Sequence, residues 1–277
     1  AALGKCRAMN VVRTPPWVQV PVTYSSPSGS ITALNTVASV APVPAVKDPD
    51  RGASALVQAL VGEAILRHVG GRRVLDLGHG APEIAQWVRK SCSAVTVIPL
   101  AELDQHDDTL QIPAPDAAFD AVYCLRTLPR LGHDEASSLA MVRSLLREAA
   151  RVTAPGGLLL LEINNPRSLR GVVHGIRHPI TVVATGSVVL ADEKHHVTRY
   201  DTLGRLLELA PAELELVRVY GIRVLVPISR ILAVPLLGRV LAAGEWWARD
   251  SFLRHFGAHL LAVLRKPDPN ASPIAHV

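Results

Sequence analysis

Apolar residues recur at helical spacing through residues 53–69 (ASALVQALVGEAILRHV) and stop at Gly70-Gly71, which predicts a helix closed by a glycine signal. A short apolar run at 73–78 then predicts a strand, and helix 82–91, strand 94–98, a short strand near 109–112 and strand 119–124 follow. A long helical pattern covers about 134–153, Pro155-Gly156-Gly157 ends it, and LLLLEI starts a strand at 158–163. Strands alternating with helices, with apolar runs of this kind, predict an α/β fold: a parallel sheet with helices on both faces. Ligands of such sheets bind beyond the carboxyl ends of the strands. Further on, ITVVATGSVVL (180–190) is β-prone, helix 202–210 leads to strand 214–222, and GAHLLAVLRK (257–266) is a last strand. Between the last two lies an apolar helical stretch, 223–250.

The ends of the chain break this pattern. Residues 1–47 contain no acid, and prolines recur at 15, 16, 21, 27, 42 and 44. Residues 1–50 are therefore expected to form an extended Pro-rich arm, with an unattached tail as the alternative. The acid-free leader is similar in composition to a transit peptide, and the chain begins at Ala1 without Met, so a processed mitochondrial protein is expected. A cytoplasmic one is the alternative. Residues 51–266 are expected to form the domain, and 267–277 a flexible tail.

Composition narrows the function classes. The chain has 277 residues, of which 49% are hydrophobic and 19% charged, enough for a well-buried core. No run of about 18 uncharged apolar residues predicts a transmembrane helix. The net charge of +5 comes without a Lys/Arg-rich run, so nothing marks a nucleic-acid interface. Cys6, Cys92 and Cys124 lie far apart and form neither a disulfide framework nor a zinc pattern.

Chemistry is concentrated in RRVLDLGHGAPEIAQWV (72–88), a strand, a glycine turn and a helix. Glycines there permit positive φ and close approach of a ligand, while the helix start offers free amides to an anion. Taken alone this is a weak signal. VLDLGHG (74–80), IPAPDAAFDAVYCLRTLPRL (112–131) and LLREAARVTAPGGLLLLEINNP (145–166), in that order, resemble the class I S-adenosylmethionine-dependent methyltransferases, nearest the type 11 branch. The resemblance implies a Rossmann-like, seven-stranded, mostly parallel sheet whose last strand is antiparallel. It also implies S-adenosylmethionine as cofactor, held through Asp76, Gly78 and Gly80 of the turn and through Asp108, which matches the acid contacting the adenine amino group. The other reading of Asp108 is a solvated loop acid.

Two positions depart from the family pattern. Pro82 replaces the turn's last glycine, fixing φ and removing an amide donor. Pro99 stands where the family's ribose-binding acid ends the second strand, and Glu102, three residues on, is the candidate that could reach back. Losing a bidentate carboxylate contact costs roughly 2–4 kcal/mol.

Other candidates are weaker. His195-His196 lies in the region covering the substrate in relatives and could supply a base, though surface loop histidines are commoner. His174/His178 and His255/His259 have i,i+4 spacing but no third ligand. Cys124 has no basic neighbour to activate it. No N/D-P-P-Y/F follows strand 119–124, which speaks against methylation of exocyclic base nitrogens. The 223–250 stretch reads as a helical insert packed on the sheet, or as a substrate lid, a membrane-surface contact or a partner-binding face. Two functions stay open. One is a methyltransferase-like protein with a degraded cofactor site, serving as a structural or assembly subunit that binds protein partners through the arm and the insert. The other is an active O- or C-methyltransferase on a small hydrophobic, quinone-like acceptor.

Overall fold

The structure, a computed structural model, describes residues 49–106, 108–168, 186–191, 197–226 and 235–270. The expected arm falls outside the described residues except for its last two positions, which open helix α1 (Pro49–Val69). Proline suits the first turn of a helix, where its missing N–H has no partner to lose. Six strands form one sheet: β1 (Arg73–Gly78), β2 (Ala94–Pro99), β5 (Phe119–Cys124), β6 (Thr153–Asn164), β9 (Glu215–Ile222) and β10 (His259–Arg265). Their spatial order is β2-β1-β5-β6-β10-β9. The pairs β1–β2, β1–β5 and β5–β6 are parallel, whereas β10 runs antiparallel to both β6 and β9. The late antiparallel strand is as expected.

Side-chain alternation along the strands makes two layers. Leu75, Leu77, Val122, Cys124, Leu159, Leu161, Leu260 and Ala262 are buried with Val142, Leu145 and Leu146 of α3 (Glu135–Val152) and with Leu206 and Leu209 of α4 (Leu203–Leu209). Helices α1, α2 (Pro82–Ser91) and α5 (Pro235–Asp250) pack together away from that layer, with α5 also on β9. Helix α3 starts cleanly because Asp134 accepts a bond from the Ser137 amide while the Ser137 side chain accepts from the Asp134 amide.

Among the described residues the sheet has six strands, not the seven expected. The predicted strand near 109–112 exists as β4 (Thr109–Gln111), but it pairs antiparallel with β3 (Asp104–His106) in a separate hairpin. The cause is length. Adding a parallel strand beyond β2 needs a crossover of a dozen or more residues, usually a helix. Between the end of β2 and β3 the chain has only a 3-10 turn, Leu100–Glu102, and Leu103. The sheet therefore ends at β2.

Smaller differences follow the same kind of reasoning. Helix α3 ends at Val152 and β6 begins at once, so Pro155-Gly156-Gly157 lies inside that strand's first half, with Gly156 at φ 73°. Of the β-prone stretch 180–190, Ser187–Ala191 forms β7 and the earlier residues are outside the described ones. Strand β7 pairs with β8 (Val197–Asp201), which periodicity did not reveal. In the 223–250 stretch the described helix is Pro235–Asp250, and 227–234 lie outside the described residues. In the expected tail, residues 267–270 are exposed and 271–277 are not described.

Candidate functional site

The glycine turn follows β1 at the carboxyl edge of the sheet, and α2 starts just beyond it. Gly78 and His79 both take positive φ, 86° and 49°. A Cβ at Gly80 would overlap the Leu125 carbonyl oxygen, and one at Gly78 would overlap the Thr127 hydroxyl. Both glycines are thus required by the chain's own segment after β5, independently of any ligand. Pro82 is the first residue of α2, and Ala81 before it gives no side-chain cap.

Asp76 is buried, and its Oδ2 lies 2.8 Å from His79 Nδ1. Among the described residues its Oδ1 has no hydrogen-bond partner, nor has the buried Tyr123 hydroxyl on the strand beside it. Burial raises the Asp76 pKa, while the His79 ring acts the other way. Gly78 is paired in register with Pro99, so the position next to the turn on β2 carries no carboxylate. Glu102 is exposed on the 3-10 turn after β2. Asp108 sits in the β3–β4 turn at φ 60°. The fold thus brings Asp76, Gly78 and Gly80 together in one turn and sets Glu102 and Asp108 on two other segments.

A cavity of about 430 Å³ opens at the same edge of the sheet, and none of those five residues lines it. Its described walls are Ala53, Ser54 and Val57 of α1, Pro129 and Arg130, Thr198 of β8, and a polar set of Arg126, Glu162, Arg223 and His259 beside Asn164. Glu162 is 3% exposed, its Oε1 is 3.6 Å from His259 Nδ1, and burial raises its pKa against the pull of Arg126 and Arg130. The sequence did not bring these residues together, since Arg126, Glu162, Arg223 and His259 are far apart along it and His259 was singled out only for its spacing from His255. The one signal was LLLLEI, an acid closing an otherwise apolar buried strand.

The remaining candidates separate plainly. His174, His178, His195 and His196 lie outside the described residues. His255 is in a 3-10 turn (Phe252–Phe256) and His259 begins β10, so the i,i+4 pair shares no helix. Among the described residues no three His, Cys, Asp or Glu side chains cluster to hold a metal. Cys124 is fully buried and its thiol is pushed up to about 12, which suits an inert strand residue. No described helix is long and apolar enough to cross a membrane.

Compared with known proteins, residues 75–161 match the methyltransferase domain family. No curated protein matches the chain. Among solved structures, one from Haloferax volcanii is a complex between the Trm112 methyltransferase activator and a methyltransferase. It is 17% identical, with 80% of this chain and 95% of that chain covered and a TM-score of 0.46. An S-adenosylmethionine-dependent methyltransferase from Thermotoga maritima is 14% identical over 77% and 91%, with a TM-score of 0.46. One from Mesorhizobium loti is 17% identical over 77% and 99%, at 0.45.

Proposed function

We propose, for a chain whose residues 75–161 belong to the methyltransferase domain family, that the fold has been kept while the S-adenosylmethionine site has been lost, and that the protein works by binding rather than by methyl transfer. The observation that carries this reading is the end of the sheet at β2. That strand stops on Pro99, and a 3-10 turn and a small hairpin stand where a crossover helix and seventh strand are expected. Among the described residues, the end of β2 beside the turn then offers no ribose carboxylate on the adenosine side. The methionine side keeps Asp76, whose free Oδ1 could take an ammonium group, but Gly78 and Gly80 are accounted for by Thr127 and Leu125. The residues present do not fit the whole cofactor.

An assembly role has support in exposed apolar side chains. Leu237, Val240 and Trp247 on α5, with Phe252 and Phe256 just after it, face solvent. Such a patch suits a protein partner. The reading of an active enzyme on a quinone-like acceptor has less support, because the cavity at the strand ends is lined by arginines and a buried acid.

Titration calorimetry with S-adenosylmethionine and S-adenosylhomocysteine decides between the two. The expected result is no saturable heat up to millimolar ligand from protein with a cooperative unfolding transition. Micromolar binding of either compound overturns the proposal.

A further inference from the structure

We propose that the open edge of the sheet at β2 pairs antiparallel with the same edge of a second copy of this chain, joining two sheets into one across a two-fold axis. The inference deepens the proposed binding role and rests only on the end of the sheet at β2, not on loss of the cofactor. Among the described residues β2 has β1 on one side and no strand on the other. Among those residues, too, its outward amides and carbonyls have no partner. An unpaired row of this kind is a template for another strand.

The two edges of the sheet are protected differently. The exposed half of β9 carries Glu215 and Arg218, and charges on an edge discourage pairing. Strand β2 reads AVTVIP and carries no charge. Val95, Thr96, Val97 and Ile98 are all β-branched, the residue type that fits a pleated surface. Ala94 and Thr96 are exposed, and Val95 and Val97 are half-buried. Pro99 closes the strand, because it has no amide to give to a ladder.

Charge on the flanks of β2 selects both the occupant and its direction. Helix α2 ends on the exposed Arg89 and Lys90, just before the strand. Exposed Glu102 and Asp104 follow it. Among the described residues none of these four side chains has a hydrogen bond or ion pair. A parallel neighbour of the same sequence sets like charge on like. An antiparallel one sets the basic flank of each copy against the acidic flank of the other, twice over, so the edge is its own complement. A two-fold axis perpendicular to the sheet keeps every residue on its own face, so one residue must lie opposite itself. Lys90 and Glu102 each stand six residues from Thr96, which puts Thr96 on the axis. Val95 then faces Val97 of the second copy, and Thr96 faces Thr96, both favourable cross-strand pairs.

The test is sedimentation velocity of the full chain over a concentration series at low salt. A reversible dimer with a micromolar dissociation constant is expected, since one strand pair makes a small interface. Thr96→Lys, at an exposed position, sets two ammonium groups opposite each other and should weaken the dimer at least about tenfold. Lys90→Glu and Glu102→Lys should each weaken it about tenfold, since each reverses two symmetric contacts. The double variant, which exchanges the charges and keeps every contact opposite in sign, should return to within about threefold of wild type. Trp247→Ser, on the exposed face of α5, should leave the dimer unchanged. Circular dichroism melts separate lost pairing from lost folding. A chain monomeric at high micromolar concentration, a dimer indifferent to Thr96→Lys, a double variant as weak as the single ones, or a dimer lost in Trp247→Ser overturns the proposal. Micromolar binding of S-adenosylmethionine overturns the lost-cofactor reading alone, so the two fail separately.

Discussion

Glu148 and Arg151 lie in the LLREAARV passage that carries part of the family resemblance, and their side chains are wholly engaged in holding a loop. Arg151 donates to the Ile112 and Ala114 carbonyls at 2.9 Å each, to Asp116 at 2.6 Å, and to both oxygens of Glu148. Glu148 in turn accepts from the Ile112 amide at 3.0 Å. The conspicuous motif is therefore a clasp between α3 and the IPAPD loop, and folding needs it independently of any cofactor. Asp76 is different, since burial opposes its charge. An acid whose folded pKa is raised stabilises the fold below its unfolded pKa, and that contribution is lost as pH rises through the folded value. Asp76→Asn, which stays neutral, should thus match wild type near pH 3–4 and exceed it in stability at pH 7. Urea unfolding at the two pH values measures this. A variant less stable than wild type at pH 7 would show that the ionised carboxylate is needed by the fold.

At the scale of elements, the pattern of apolar residues gave every strand of the main sheet and helices α1 to α4, because each buries a continuous stripe or run. It did not give β3 or β8. Strand β3 is exposed throughout, and β8 alternates with charges that are themselves buried, Arg199 bonding Asp201 at 2.6 and 2.9 Å. A buried ion pair reads as surface when only the sequence is available. Nor did the pattern say that β4 would leave the sheet, which depended on the length of chain before it. The hairpin is fixed to α3 by one side chain: Ser144 Oγ accepts from the Leu110 amide at 2.9 Å and donates to its carbonyl at 3.0 Å. Ser144→Ala leaves both buried groups unpaired and should cost about 2–6 kcal/mol, each unsatisfied group costing about 1–3. Hydrogen exchange should show the faster opening confined to residues 104–111. A stability change below about 0.5 kcal/mol would mean the hairpin docks by Leu110 alone.

For the molecule as a whole, the question is whether the 223–250 stretch is an insert, as the sequence suggested, or part of the folding unit. Its helix, α5, is tied in by Arg249, one of the largest fully buried side chains. Arg249 donates to the Leu60 carbonyl at 3.0 Å and to Glu63 at 2.5 Å, both on α1, and to Asp250 at 2.9 Å. Its guanidinium also stands 5.0 Å from the Trp246 ring and 5.5 Å from the Tyr220 ring on β9. Glu245, also buried, accepts from the amides of Val224, Leu225 and Val226, fixing the turn after β9 to the same helix. WWARD could be seen in the sequence, but its partners on α1 are some 190 residues away, and nothing local announces a contact of that span. The cavity residues were hidden for the same reason, being assembled from α1, β6, β8, β10 and the segments after β5 and β9. With α5 bonded this way, unfolding should be a single cooperative transition in which α5 and the sheet melt together. Arg249→Leu removes one partner of a buried ion pair and should lower stability by about 3–5 kcal/mol. In a Trp17→Phe, Trp87→Phe background, near-ultraviolet and far-ultraviolet circular dichroism during urea unfolding follow Trp246 and Trp247 of α5 and the backbone separately. Coincident curves that shift together in the variant are expected. A tryptophan transition that moves alone would make α5 a separable insert after all.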